Sequence, residues 1–286
     1  MSEPFPPLVS AAWLAQRLGR ANLRVVDASW YLPGSGRDAE AEYLAGHIPG
    51  AVYFDLDASS DPRTPLPHML PEADAFAGRM GRLGLGDGDD IVVYDGSGYN
   101  LSAARAWWMF RAFGHDRVAV LDGGIGRWRR EGRRLEAGRA RPAPARFGAR
   151  LDPARVRTLD QVLALTRSGA EQIVDARPAG RFAGSDPEPR PGLRGGHIPG
   201  SRNLPYASLV DADGLLLSPD ELTAQLQGAG IDPTRPVVAT CGSGTSACAV
   251  LFALHLLGHE GTALYDGSWS EWGGRSDVPL STGQVE

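Results

Sequence analysis

The stretch VVATCGSGTSACAV, residues 237–250, decides how the rest of the chain reads. A short apolar, β-branched run stops at Cys241, a Gly-rich loop follows, and an apolar helix-like segment begins. Strand, tight loop and helix in that order form the building step of a parallel α/β sheet. Ligands of such sheets bind beyond the carboxyl ends of the strands, where Cys241 falls. The first half of the chain carries IVVYDGSGYNLSAA, residues 91–104, with the same pattern and Asp95 in place of the cysteine.

That match is one of four. AGHIPGA (45–51) returns as GGHIPGS (195–201), and RVVDAS (24–29) as QIVDAR (172–177). YDGSG (94–98) returns as TCGSG (240–244), and FGHDRVAVLDGGIGRW (113–128) as LGHEGTALYDGSWSEW (257–272). The order is kept, so the chain reads as two copies of one domain-sized unit. Residues 1–138 form a first copy without the nucleophile, 139–154 a linker and 155–286 a second copy with it. The joint lies in EAGRARPAPARFGARLDPARV (136–156), whose Pro, Gly, Ala and Arg content breaks any periodic pattern.

The second copy predicts strands at 172–175, 202–204, 236–240 and 262–264. Helices are expected at 158–168, 218–228, 245–257 and 269–273. SPDEL (218–222) is a strong helix start, with Ser218 to cap, Pro219 in the first turn and Glu221 three residues on. The fold class is α/β: two tandem domains, each a largely parallel sheet flanked by helices.

Composition narrows the function. The chain has 286 residues, 42% hydrophobic and 22% charged, as in an ordinary soluble globular protein. A net charge of -5 gives no electrostatic footprint for nucleic acid. No apolar run approaches the roughly 18 residues that span a bilayer, and the first residues lack a signal-peptide pattern. Two cysteines make no disulfide framework, so a reducing, cytoplasmic setting is expected. Six histidines and two cysteines show no metal-ligand spacing, and neither metal nor cofactor is expected.

The loop after Cys241 suits an anion. Backbone N–H groups of a Gly-rich turn and a helix N-terminus converge there. Such a cradle favours the thiolate, the nucleophilic form of cysteine. Gly242 and Gly244 permit the tight backbone, and Ser243, Thr245 and Ser246 add hydroxyl donors. Cys248, seven residues on, reads as core. Cysteine phosphatases place an Arg six positions after the nucleophile to hold phosphate oxygens. Here that residue is Ala247, which disfavours a phosphate ester.

CGSGTSA (241–247) resembles the active-site loop of the two-domain rhodanese-like sulfurtransferases, closest to the 3-mercaptopyruvate pattern of CGSG, two variable positions and Ala. The thiosulfate-specific pattern has basic residues just after the cysteine, where this chain has Gly242 and Ser243. HMLP (68–71), WWMFRAFGH (107–115), GRFAGSDPEPR (180–190) and both HIPG segments extend the resemblance over nearly the whole chain. Thr245-Ser246 departs from it, standing where Val-Thr is usual.

The resemblance implies a persulfide on Cys241, formed from a small sulfur donor. The outer sulfur then passes to a thiol such as thioredoxin, or to cyanide. It implies that Arg181 and Arg190 hold the substrate carboxylate, and that Asp38 and His47 form a proton relay with Ser243. His197 occupies the turn equivalent to His47, which points instead to a structural role for that turn. Arg177 reads as an ion-pair residue, Asp122 and Asp266 as turn or cap residues. Trp269 and Trp272 read as packing between the copies. Three functions stand: a 3-mercaptopyruvate sulfurtransferase, a thiosulfate:cyanide sulfurtransferase, and a non-catalytic sulfur-binding scaffold.

Overall fold

A computed structural model describes residues 5–259 and 261–283 and divides into two units. The first gathers the chain up to Pro62, Leu70–Asp152 and Ala212–Leu216. The second gathers Arg63–Met69, Pro153–Asp211 and the chain from Leu217 onward. Each contains one five-stranded sheet, and every strand pair within it is parallel.

In the first unit the elements run β1 (Leu8–Val9), α1 (Ala11–Ala15), β2 (Leu23–Asp27), α2 (Ala39–Ala45), β3 (Val52–Tyr53) and α3 (Ala73–Arg82). They continue with β4 (Asp90–Tyr94), α4 (Leu101–Ala112), β5 (Val118–Leu121) and α5 (Gly124–Arg130). The second unit repeats the series. It has β6 (Val156–Arg157), α6 (Leu159–Ser168), β7 (Gln172–Asp175), α7 (Ala179–Ala183) and β8 (Arg202–Asn203). After these come α8 (Pro219–Gly228), β9 (Val237–Thr240), α9 (Ala247–Leu256), β10 (Thr262–Tyr265) and α10 (Ser268–Trp272).

The sheet orders are β1-β5-β4-β2-β3 and β6-β10-β9-β7-β8, one topology used twice. The chain runs from β7 to the edge at β8, then returns to the other side of β7 as β9. The strand order reverses between β7 and β9, and a crevice opens at the carboxyl ends of such a pair. Cys241 follows β9 directly, as Asp95 follows β4.

Helix starts follow their local chemistry. Thr158 and Gln161 close a capping box on α6, and Ser218 and Glu221 close one on α8 with Pro219 at its first position. Helix α9 behaves differently: Ala247 to Leu254 are all buried, so it is apolar all round and shows no amphipathic stripe. Segment 139–152 forms neither helix nor strand but is bonded to the first unit. Ala145 N–H donates to Gly81 O, Arg150 N–H to Phe113 O and Asp152 N–H to Ala112 O. Buried Phe147 packs on Phe76, Phe110 and His115.

The two tryptophans of the second copy correct one expectation. Trp269 and Trp272 lie in that unit's own core with Ile173, Ile198, Val238 and Tyr265. Their indole N–H groups donate to Arg194 O and Pro279 O, which explains why two large polar-tipped rings can be fully buried there.

Candidate active site

The Cys241 loop is anchored from behind. Cys241 N–H donates to Ser268 Oγ at 3.2 Å, and its carbonyl accepts from Trp269 N–H. The Gly242 carbonyl accepts from both the N–H and the hydroxyl of Ser270. These carbonyls are turned toward α10, and the N–H groups that follow are the remaining donors of the loop. Among the described residues, those of Gly242, Ser243, Thr245, Ser246 and Ala247 donate no hydrogen bond. Donors left open at the start of a ten-residue helix make an anion site. Gly244 has φ +76°, the left-handed backbone this turn needs. Cys241 is a free, buried thiol at this cradle. Cys248, the second residue of α9, is buried, its thiol donating to Gly244 O.

Two guanidinium groups lie over the loop. A Cβ placed on Gly242 would stand 3.1 Å from Arg181 Nη2 and 3.8 Å from Arg190 Nη1. Glycine there lets both side chains approach the residue after Cys241. Arg190 Nη2 also lies 3.4 Å from Ser243 Oγ. Arg181 Nε is buried and unpartnered, a donor that still lacks an acceptor. Arg181 itself is fixed by a chain of alternating charge. Its Nη2 bonds Glu188, Glu188 bonds Arg177, and Arg177 bonds Asp175 at the end of β7. Arg177 is 1% exposed and also donates to Gly196 O. Burial pulls its pKa down, but the Asp175 and Glu188 carboxylates outweigh that and hold it above the ordinary value. Arg177 is thus the ion-pair residue the sequence suggested, and it ties Arg181 to the sheet.

The imidazole that meets Ser243 is His68. Its Nδ1 lies 2.9 Å from Ser243 Oγ and 3.1 Å from Thr245 Oγ1, with His68 in the left-handed region at φ 62°. His68 sits on the Arg63–Met69 segment that groups with the second unit. The expected relay partner, His47, is engaged locally. Its Nδ1 bonds Tyr43 O at 2.9 Å, and its ring stacks on Tyr43. His197 does the same with Phe182 in the equivalent turn. Both histidines fasten a HIPG turn. Asp38 caps α2 by accepting from Ala41 N–H at 3.0 Å and shares no hydrogen bond with His47 among the described residues.

Two residues escaped the sequence reading. HMLP was noticed as a likeness only, and the contact between His68 and Ser243 spans 175 positions, which no local pattern reveals. Ser268 is the other. It holds the Cys241 N–H from a left-handed backbone, φ 50°, where the first copy has Gly124 at φ 51°. A side chain at that φ is strained, and the replacement of Gly by Ser in aligned repeats was the available signal. Asp122, expected to serve a turn or a cap, instead accepts from Leu216 N–H at 2.9 Å, 94 positions along the chain. Among the described residues no three His, Cys, Asp or Glu side chains gather as metal ligands would.

Residues 10–131 and 158–275 each match the Rhodanese-like domain. The chain belongs to the rhodanese-like family. Human 3-mercaptopyruvate sulfurtransferase is 48% identical over 270 residues, covering 93% of this chain and 91% of that protein. Bovine thiosulfate sulfurtransferase is 44% identical over 274 residues, covering 94% and 92%. The crystal structure of SseA from Escherichia coli, a 3-mercaptopyruvate sulfotransferase, superimposes with a TM-score of 0.85 at 42% identity, covering 93% of this chain and 99% of that one. This rhodanese-like chain therefore has relatives with either donor in their names at nearly equal identity.

Proposed function

We propose that the protein is a 3-mercaptopyruvate sulfurtransferase acting through a persulfide on Cys241. The observation that carries this reading is the pair of guanidinium groups, Arg181 and Arg190, over the residue that follows the thiol. A 2-oxo acid offers a carboxylate and an adjacent carbonyl, which two planar forks bind well. Arg181 Nε is an unused buried donor suited to the same ligand.

The Cys241 thiolate attacks the donor sulfur. The carbon–sulfur bond breaks, its electron pair passes into the enolate of pyruvate, and the donor's thiol proton balances protonation of that enolate at carbon. The open N–H groups of the loop stabilise the sulfur anion on Cys241 throughout. In place of the expected Asp38 and His47 relay, His68 and Ser243 are positioned to move the proton. An acceptor thiol, thioredoxin among them, or cyanide then attacks the outer sulfur and regenerates Cys241. Gly242, Gly244, Thr245 and Ser246 shape the cradle, and the first copy with Asp95 is a non-catalytic scaffold. Two free cysteines fit a reducing, cytoplasmic setting, and among the described residues no helix is long and apolar enough to cross a membrane.

The second reading is a thiosulfate sulfurtransferase, favoured by the bovine relative's identity. The neutral Gly242-Ser243 pair argues against a dianionic donor at this loop. Steady-state kinetics with both donors separates them. A higher kcat/KM is expected with 3-mercaptopyruvate, and Arg190→Gly is expected to raise its KM about tenfold, well beyond the effect on thiosulfate. A higher kcat/KM with thiosulfate overturns the donor assignment. If no donor adds one sulfur to the mass of the protein, the catalytic reading falls and the non-catalytic scaffold stands.

A further inference from the structure

The last turns of α8 and α9 border an open groove in the second unit. Its volume is about 490 Å3, and Leu226, Gln227, Thr234, Leu257, Gly258 and His259 line it. The repeat supplies its counterpart. Gln227 and Gly81 are each the ninth residue of a ten-residue helix, α8 and α3. Leu257 and Phe113 are the C-caps of α9 and α4, and each is followed by a left-handed glycine and a histidine. The turns match bond for bond, His259 N–H donating to Leu254 O as His115 N–H donates to Phe110 O.

In the first unit the chain itself fills this groove. Phe147 is buried there, its ring centre 5.3 Å from that of His115 and 5.9 Å from those of Phe76 and Phe110. The residues after it close the end of α4: Arg150 N–H donates to Phe113 O, and Asp152 N–H to Ala112 O. In the second unit Leu257 and Leu256 hold those places, and among the described residues neither carbonyl accepts a hydrogen bond. Carbonyls left over at a helix end call for donors, and the helix dipole there favours positive charge. Asp232, which accepts from the lining Thr234, adds a carboxylate. The first unit's occupant has the matching chemistry, because ARFGARLD, residues 145–152, sets Arg146 and Arg150 around a single aromatic ring.

Two differences limit the guest. A Cβ on Gly81 would stand 2.6 Å from Ala145 O, yet the second copy has Gln227 at that place. A Cβ on Gly84 would meet Pro142, whereas one on Gly230 would meet Arg202 Nη1, which already covers that side. The path of residues 142–145 is therefore closed in the second unit, and the aromatic pocket beside the end of α9 stays open.

We propose that this groove docks a partner protein through an extended segment built like residues 146–152, with one aromatic side chain in the pocket and the backbone behind it donating to the carbonyls that end α9. The groove lies at the far end of α9 from the Cys241 loop, about 15 Å away by helix rise, and the proposal does not depend on the sulfur-transfer reading.

The test is fluorescence anisotropy of a labelled ARFGARLD peptide titrated with the full-length protein. Saturable binding is expected with a Kd on the order of 100 μM, since a short segment must be ordered as it binds. Replacing the peptide's phenylalanine with alanine should weaken binding at least about tenfold, because a buried aromatic anchor dominates such contacts. Gln227→Trp and Thr234→Trp fill the groove from its exposed rim and should each weaken binding about tenfold. Both should leave the melting temperature within about 2 °C, as surface substitutions do. No saturation with protein up to about 0.5 mM, or binding that survives both substitutions, overturns the proposal. Sedimentation of the protein alone tests the other occupant. A concentration-dependent dimer that Gln227→Trp abolishes would give the groove to a second copy of the chain and overturn its assignment to a partner's segment.

Discussion

In the first unit, one oxygen of the Asp95 carboxylate accepts from the N–H and hydroxyl of Ser97, and the other from the Ser102 hydroxyl and Ala103 N–H. In the second unit, the N–H groups of Gly242, Ser243, Thr245, Ser246 and Ala247 donate no hydrogen bond among the described residues. The backbone is shared, and so is the tie to the following turn. Ile125 N–H donates to Asp95 O as Trp269 N–H donates to Cys241 O. The lids differ in kind. Gly96 lies beneath the Tyr31 hydroxyl and Arg37, which are themselves bonded to Glu42, while Gly242 lies beneath Arg181 and Arg190. One copy fills its loop with its own carboxylate, and the other carries a thiol at the same place. The two copies therefore differ by more than one side chain, because in the first the donors of the loop are already satisfied.

The comparison breaks most sharply if the second loop is given the first loop's plug. Cys241→Asp should lower turnover by at least about a thousandfold, as removal of a nucleophile does. If the carboxylate takes up the open N–H groups, it should also raise the melting temperature, which Cys241→Ser should not do. An unchanged melting temperature in Cys241→Asp would mean that the two cradles are not equivalent.

Removing the plug should work in the other direction. Asp95→Ala strips an acceptor from the buried Ala103 N–H, the part-buried Ser97 N–H and two hydroxyls, for an expected loss of about 2 kcal/mol in urea denaturation. Asp27 moderates this. Its carboxyl is pushed up by burial first and in smaller part by the Asp95 charge, a repulsion the substitution relieves. Activity below the transition should stay within about twofold, because Asp95 plays no part in the chemistry.

The smallest effect concerns the turns the copies share. Burial lowers the His197 pKa below its ordinary 6.5, against a smaller raising effect from the Phe182 carbonyl. The folded protein then binds the proton less well than the unfolded chain. Stability contributed above pH 6.5 is lost as the pH falls through 6.5 toward the folded value. His197→Asn should flatten the decline of the melting temperature between pH 7.5 and about 5.5, by an amount worth under about 1 kcal/mol. An unaltered slope would show that this turn does not report on pH.

Much of this architecture was legible in the sequence because repeats and caps are local or periodic signals. Ser218 announced its helix, and β7, β9 and β10 followed the β-branched runs closely. Two-residue β6 and five-residue α7 were missed, being too short to show a period. The cysteine and its glycines stood out from the strand–loop–helix pattern, and the two arginines came from the family resemblance. The imidazole beside Ser243 came from neither. His47 and His197 stood out because they recur, yet recurrence marks what both copies need for folding, and each ring stacks on its own copy's aromatic residue. His68 has no counterpart in the repeat pattern, and its partner is fixed only by tertiary packing. The tryptophans failed for a related reason: a large aromatic residue in a repeat motif gives no sign of which core it enters.

Residues 63–69 come from the first copy's stretch of chain and are counted with the second unit, where they bring His68 to the nucleophile's loop. The silent half thus supplies one side chain of the working half. A fragment beginning at residue 153 would carry the thiol, the glycines and both arginines, but no imidazole beside Ser243. The duplication is for that reason not a spare that can be discarded. The contact between His68 and Ser243 therefore joins a loop of the first repeat to the thiol's loop in the second, and a single-repeat version of this chain would lack it.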